Sequence, residues 1–240
     1  RRPGPRPNHR AQRRDGAVKM AKVYLFADET GNLDYSSSPD PRGGGASIYF
    51  GFGTAAFSDT QYANAVAEAH ELRASLASSG LANGFHASYD SNKTRSKVFE
   101  MIRGQRPRFD TTFLYKANAY PDVRKRGGLY LYKLAWHLHV KQVALQVSNP
   151  GDELVIVAAE FGTARMRRTV DEAVNEVCAQ IDRDITTCIW RAPTSWGLQA
   201  ADYGLWATQR AVEGKRCTWF DSCIAPTLNS TFKPWGEPED

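Results

Sequence analysis

Val23-Tyr24-Leu25-Phe26-Ala27-Asp28-Glu29-Thr30-Gly31-Asn32 sets an unbroken apolar run against a pair of carboxylates. A run this short and this apolar predicts a buried strand over residues 22–27, where an ionised carboxylate is costly unless it is paired or bound to a cation. Asp28 therefore has two readings. In one it belongs to a strand-exit turn, where Asp bonds its own backbone and Gly31 tolerates positive φ. In the other it is a metal ligand at the end of the strand.

The second carboxylate stands far along the chain, in Pro193-Thr194-Ser195-Trp196-Gly197-Leu198-Gln199-Ala200-Ala201-Asp202-Tyr203-Gly204-Leu205-Trp206. Leu198, Ala201, Leu205 and Val212 recur at helical spacing, and Asp202 falls on that apolar stripe. Ser195, Gln199, Asp202 and Trp206 share one face, so the Gln199 amide is expected to orient the Asp202 carboxylate while the indole walls the site. The alternative is a buried Asp satisfied by backbone donors or by Arg210.

Outward from these two segments, the periodicities alternate between strand and helix. After the strand over 22–27, Ser47 to Phe57 predicts a second strand, across a polar loop with Ser36-Ser37-Ser38-Pro39 and Gly43-Gly44-Gly45 that is long enough to flank a site. Asp59 to about Ser79 predicts a helix ended by Ser78-Ser79-Gly80, and Asn92 to Arg103 predicts another. Strands follow at Phe109–Tyr115, Glu153–Ala159 and Thr186–Arg191. A long apolar helix spans Leu129–Val147, and Thr163 is expected to cap a helix with Met166, Val170, Val174, Val177 and Ile181 on one stripe. Arg165, Arg167 and Arg168 crowd that helix's first turn. Cations there oppose the helix dipole, which points either to an anion nearby or to a solvated charged face.

This order predicts an α/β fold, a sheet with helices on both faces. The 240 residues, 42% hydrophobic and 24% charged, suit one domain over 20–240. Residues 1–19 carry seven basic side chains against one acidic, so they account for +6 of charge while the whole chain is +5 and the body is −1. That arm is expected to be disordered, and is read either as a phosphate-gripping tail or as non-native sequence before Met20. No apolar stretch reaches the roughly 18 residues of a membrane helix, so no membrane is expected. Cys178, Cys188, Cys217 and Cys223 form no C-x-x-C pair and are expected to be reduced packing residues in a cytoplasmic protein. Gly51-Phe52-Gly53 lies within a strand pattern, not at a strand-to-helix junction, so no nucleotide-cradling loop is expected.

Asp28-Glu29-Thr30-Gly31, Phe85-His86-Ala87 and Leu198-Gln199-Ala200-Ala201-Asp202 resemble the domain-of-unknown-function 3800 family, which is placed in the RNase H-like superfamily. The resemblance covers pattern features from about residue 22 to 213. It implies an RNase H-like mixed sheet of about five strands, with the helices after the second strand as an inserted helical segment, and a bacterial or phage conflict setting, and it implies an acidic residue after a central apolar strand. Here that position falls in Val157-Ala158-Ala159-Glu160-Phe161, a departure from the Asp followed by a basic or polar residue that is usual in the family.

Two-metal phosphodiester hydrolysis needs carboxylates from different elements converging on cations about 3.5–4 Å apart. Magnesium or manganese is the expected cofactor, held by Asp28, Glu160 and Asp202, with Glu29 in reserve on the opposite side of the strand. Gln199 and Ser195 are expected to support the site. His86 is expected either to shuttle protons or to be a satisfied structural histidine. Lys93, Arg95 and Lys97, with Arg165 and Arg168, are expected to steer nucleic acid. The leading reading is thus a metal-dependent nuclease acting on DNA or RNA, alone, with a protein partner or as a homo-oligomer. A non-catalytic nucleic-acid or protein-interaction module is the first alternative, favoured by the near-neutral body. A carboxylate-pair glycoside hydrolase is the second.

Overall fold

The computed structural model of the protein describes residues 20–35, 45–76 and 84–238, save for the side chains of residues 164 and 165. The basic arm, most of the Ser/Gly loop and the expected helix end at Ser78-Ser79-Gly80 lie outside the described residues. The strands are β1 (Lys22–Thr30), β2 (Tyr49–Ser58), β3 (Arg108–Tyr115), β4 (Glu153–Ala159), β5 (Asp184–Trp190) and β6 (Leu228–Phe232). The helices are α1 (Asp59–Ser75), α2 (Asn92–Gln105), α3 (Pro121–Arg126), α4 (Gly128–Val147), α5 (Ala164–Cys178) and α6 (Trp196–Val212).

The strands form one six-stranded sheet in the order β5-β4-β1-β2-β3-β6. β1, β2 and β3 are an antiparallel meander, β4 and β5 run parallel to β1, and β6 runs parallel to β3. Its first five positions have the connectivity of an RNase H-like sheet, with α1 and α2 inserted between β2 and β3. The sixth strand, Leu228-Asn229-Ser230-Thr231-Phe232, is too short and polar to announce itself by apolar alternation.

Strand alternation divides the core in two. Leu25, Ala27, Phe50, Phe52 and Ile156 face α4 and α5, meeting Tyr132, Trp136, Val140 and Val174. Phe26, Ala55, Phe57, Val155 and Val157 face α1, α2 and α6, meeting Val98, Phe99, Leu198 and Ala201. α6 lies almost in contact with the sheet. A Cβ added at Gly197 would stand 2.3 Å from the Phe26 ring, and one at Gly204 would stand 2.4 Å from Phe109. On β2, the position of a Gly53 Cβ is taken by Leu205 of α6 and that of a Gly51 Cβ by the Thr112 carbonyl of β3, so this strand carries glycine at both places.

Two details of the helices differ from the sequence expectations. Thr163 occupies the N-cap of α5 but its side chain makes no capping bond. α4 is buried along one side only, through Leu131, Tyr132, Ala135, Trp136, His139, Val140, Val143 and Ala144, while Leu129 and Leu145 are exposed. All four cysteines are free thiols. Among the described residues no helix is long and apolar enough to cross a membrane.

Candidate functional site

β1 continues through Thr30, paired with Gly51 of β2, so Asp28 and Glu29 stand inside the strand and not in an exit turn. Alternation then sends them to opposite faces. Asp28 pairs with Gly53, under Leu205 of α6. Glu29 pairs with Phe52, whose ring packs against Tyr132 of α4.

α6 follows β1 in the same direction. Gly197 sits on Phe26, and twelve positions further along the Gln209 side chain accepts a hydrogen bond from the Thr30 hydroxyl. Asp202 lies between these anchors, as Asp28 lies between Phe26 and Thr30. The two carboxylates are therefore neighbours on one face, and both Asp28 and Glu29 feel Asp202. Burial first, then Glu29 and Asp202, push the Asp28 carboxyl well above the usual carboxylate range. Burial raises Glu29 to about 8, with Asp202 adding to the shift. Burial raises Asp202 to about 6, against the opposing pull of His86 and of the Ala87 N–H.

Asp202 is held in place by the loop that precedes α2. The Ala87 N–H donates to Asp202 Oδ2 at 2.7 Å, and His86 Nδ1 lies 3.6 Å from the same oxygen. His86 is half exposed, and its Nδ1 also meets the Ser88 hydroxyl at 3.2 Å. Asp90 closes the loop by accepting from the His86 N–H at 2.9 Å and from the Tyr203 hydroxyl. Asp90 and Tyr203 escaped the sequence reading because the contact joins residues 113 apart in sequence. The spacing Asp202-Tyr203 offered one hint, a polar-tipped aromatic beside the carboxylate.

Gln199 does not orient Asp202. Its amide donates to the carbonyls of Ala192 and Pro193 at 3.0 and 3.1 Å and accepts from the Phe85 N–H at 3.4 Å. It pins the residue just before His86, so its influence on Asp202 passes through that loop. Ser195 is the N-cap of α6, accepting from the Leu198 N–H. Trp206 is half-buried between two guanidinium groups, Arg95 and Arg210, each 5.0 Å from its ring.

Glu160 follows β4 and ends in ion pairs with Arg167 of α5 at 2.6 Å and with Arg191 at 3.8 Å. The anion expected at the α5 N-terminus is thus, for Arg167, a carboxylate of the chain itself. α5 covers the face opposite to α6, so this pair draws the Glu160 side chain away from the Asp28 and Asp202 face. The basic residues also divide. Lys93, Arg95 and Lys97 belong to α2 on the α6 face, whereas Arg168 pairs with Glu172 on α5 across the sheet. Arg165 is in α5, and its side chain lies outside the described residues. Arg95 is a clamp on the His86 loop, donating to the carbonyls of Ala87 and Ser88.

Asp28 and Asp202 suit a hard divalent cation in donor chemistry: two carboxylates, each raised by a neighbouring acid, on elements that fix their positions. Among the described residues no three His, Cys, Asp or Glu side chains group as one metal site. The fit therefore rests on a pair, with water completing the shell, as magnesium commonly allows. Glu29 Oε2 is buried with no hydrogen-bond partner, as is the hydroxyl of Tyr132, which feels Glu29 more strongly than Asp28. No protein-family model matches the chain, and no curated protein matches it. The likeness to the domain-of-unknown-function 3800 family accordingly rests on the motif residues alone.

Proposed function

We propose that this protein is a divalent-metal-dependent nuclease, hydrolysing phosphodiester bonds of DNA or RNA from the Asp28 and Asp202 face. The observation that carries the reading is the convergence of two mutually repelling carboxylates at the end of the central strand of an RNase H-like sheet. Acidic groups held this way lose free energy by their proximity unless a cation or a proton neutralises them.

Asp28 and Asp202 would hold magnesium or manganese, which when bound supplies an acidified water and neutralises charge on the phosphoryl oxygens. The chain's own residues do the rest. The Ala87 N–H and the α6 scaffold fix the Asp202 carboxylate, and Thr30 with Gln209 ties α6 to the end of β1. His86, half exposed and 3.6 Å from Asp202, is placed to take a proton from the attacking water or give one to the leaving oxygen. Bacterial or phage conflict is the proposed setting and the cytoplasm the proposed compartment, the latter in keeping with four free thiols.

The test uses wild type, Asp28→Asn and Asp202→Asn on single- and double-stranded DNA and RNA, each with magnesium, manganese and a chelator. Cleavage by wild type that needs the metal and vanishes in both variants is expected. Undiminished cleavage by both variants would remove this site from the chemistry. A non-catalytic interaction module is the second reading, favoured by the ion pairs that occupy Glu160. It predicts no cleavage on any substrate and no heat of cation binding in calorimetry.

A further inference from the structure

The loop from His86 to Asp90 is more firmly held than its length requires. Its N–H groups at His86 and Ala87 donate to Asp90 and Asp202, those at Tyr89 and Asp90 both donate to the His86 carbonyl, and Arg95 clamps the carbonyls of Ala87 and Ser88. The side chain of Tyr89 takes part in none of these bonds. It is 85% exposed, against 66% for Tyr120 and 62% for Met20. Its ring stands 4.5 Å from the ring of His86, which in turn reaches Asp202. Burial would have stabilised the fold, yet this ring is presented to solvent on an anchored turn beside the carboxylates.

We propose that Tyr89 is a stacking platform for an unpaired base of a single-stranded nucleic acid whose phosphate lies at Asp28 and Asp202. The inference rests on the nuclease reading and adds to it the class of substrate. A base inside a duplex already has both faces stacked, so only an unpaired one gains from a solvent-exposed ring. Tyr132 and Tyr203 are buried, and Trp206 has the Arg95 and Arg210 guanidinium groups each 5.0 Å from its ring, which leaves Tyr89 as the accessible ring of the four. Lys93 and Lys97 are exposed on the helix that follows the loop, where cations favour a polyanion. Because the backbone under Tyr89 is already fixed, little ordering cost falls on binding.

The test is fluorescence anisotropy with labelled single-stranded DNA and RNA oligonucleotides in calcium in place of magnesium or manganese, a hard cation that carboxylates also bind, with intact strand verified on a gel, comparing wild type, Tyr89→Ala and Tyr89→Phe. Tyr89→Ala is expected to weaken binding about 5- to 150-fold, the range of one lost base stack. Tyr89→Phe is expected to bind as wild type does, and an oligonucleotide with abasic sites to bind wild type as weakly as the intact strand binds Tyr89→Ala. Duplex of the same sequence should be indifferent to the substitution. Equal binding by wild type and Tyr89→Ala, or loss in Tyr89→Phe equal to that in Tyr89→Ala, would overturn the stacking role. Thermal melting of both variants at the wild-type temperature is expected, since the side chain is almost wholly exposed.

The two proposals fail separately. Metal-dependent cleavage that is untouched by Tyr89→Ala overturns stacking and leaves the nuclease standing. Binding through Tyr89 with no cleavage under magnesium or manganese overturns the nuclease and leaves the single-strand platform.

Discussion

Asp28 is a residue whose charge the fold opposes. Burial and two acidic neighbours favour its protonated form, while the Glu29 N–H, at 3.0 Å from its Oδ1, offers the one compensating hydrogen bond. Replacing it with Asn keeps shape and removes repulsion. The metal-free Asp28→Asn protein is therefore expected to melt higher than wild type by about 2–4 °C, the shift that 1 kcal/mol gives in a domain of this size. The same substitution should erase the rise in melting temperature that magnesium or manganese produces in wild type, because a ligand stabilises only a state that binds it. Scanning calorimetry in chelator and in metal reads both effects. A lower metal-free melting point would mean that Asp28 is stabilised in place, and a metal-induced rise retained in the variant would put the cation elsewhere.

At the scale of the element, α6 decides whether there is a site. It brings Asp202 to Asp28 because glycines at 197 and 204 let its backbone close on Phe26 and Phe109. Gly197→Ala is expected to cost roughly 1–3 kcal/mol through overpacking, and Gly204→Ala a similar amount. Denaturant melts measure the loss, and stability equal to wild type in both would show that α6 shifts freely on the sheet. Gly104, where a Cβ meets nothing within 4 Å, supplies the control: alanine there should be tolerated. Apolar periods foretell α6 and the other long elements, and Glu153–Ala159 has the ends its pattern predicts, whereas the short α3 and β6 carry no such period. What the sequence concealed was side-chain destination. Glu160 was placed at a strand end, but its charge is spent on Arg167 of a helix that covers the other face. Gln199 was placed on the right face of α6, but it reaches the backbone of Ala192, Pro193 and Phe85 instead of the carboxylate one turn on. Such choices depend on partners far away in sequence, and periodicity carries no information about them.

Across the whole molecule, acid stability turns on a histidine remote from the site. His139 of α4 is fully buried against the β2 and β3 strands, its two ring nitrogens meeting the hydroxyls of Thr112 at 2.9 Å and Thr54 at 3.2 Å. Burial holds its pKa down at about 4, against a partial upward pull from Asp110. The folded protein thus keeps this imidazole neutral where the unfolded chain, with an ordinary value near 6.5, takes up a proton. The stability it contributes is fully present above about pH 6.5 and is lost as pH falls toward 4, amounting to about 3 kcal/mol over that window. His139→Gln retains groups able to bond both threonines but cannot titrate. Its melting temperature is expected to fall less than that of wild type between pH 6.5 and 4, by roughly 6–12 °C for a domain of this size. Asp110, the carboxylate that His139 feels, is present in both proteins, so the difference between the two curves reads the imidazole together with its coupling to Asp110. Parallel curves would show that the proton His139 refuses in the folded state is not what limits this sheet in acid.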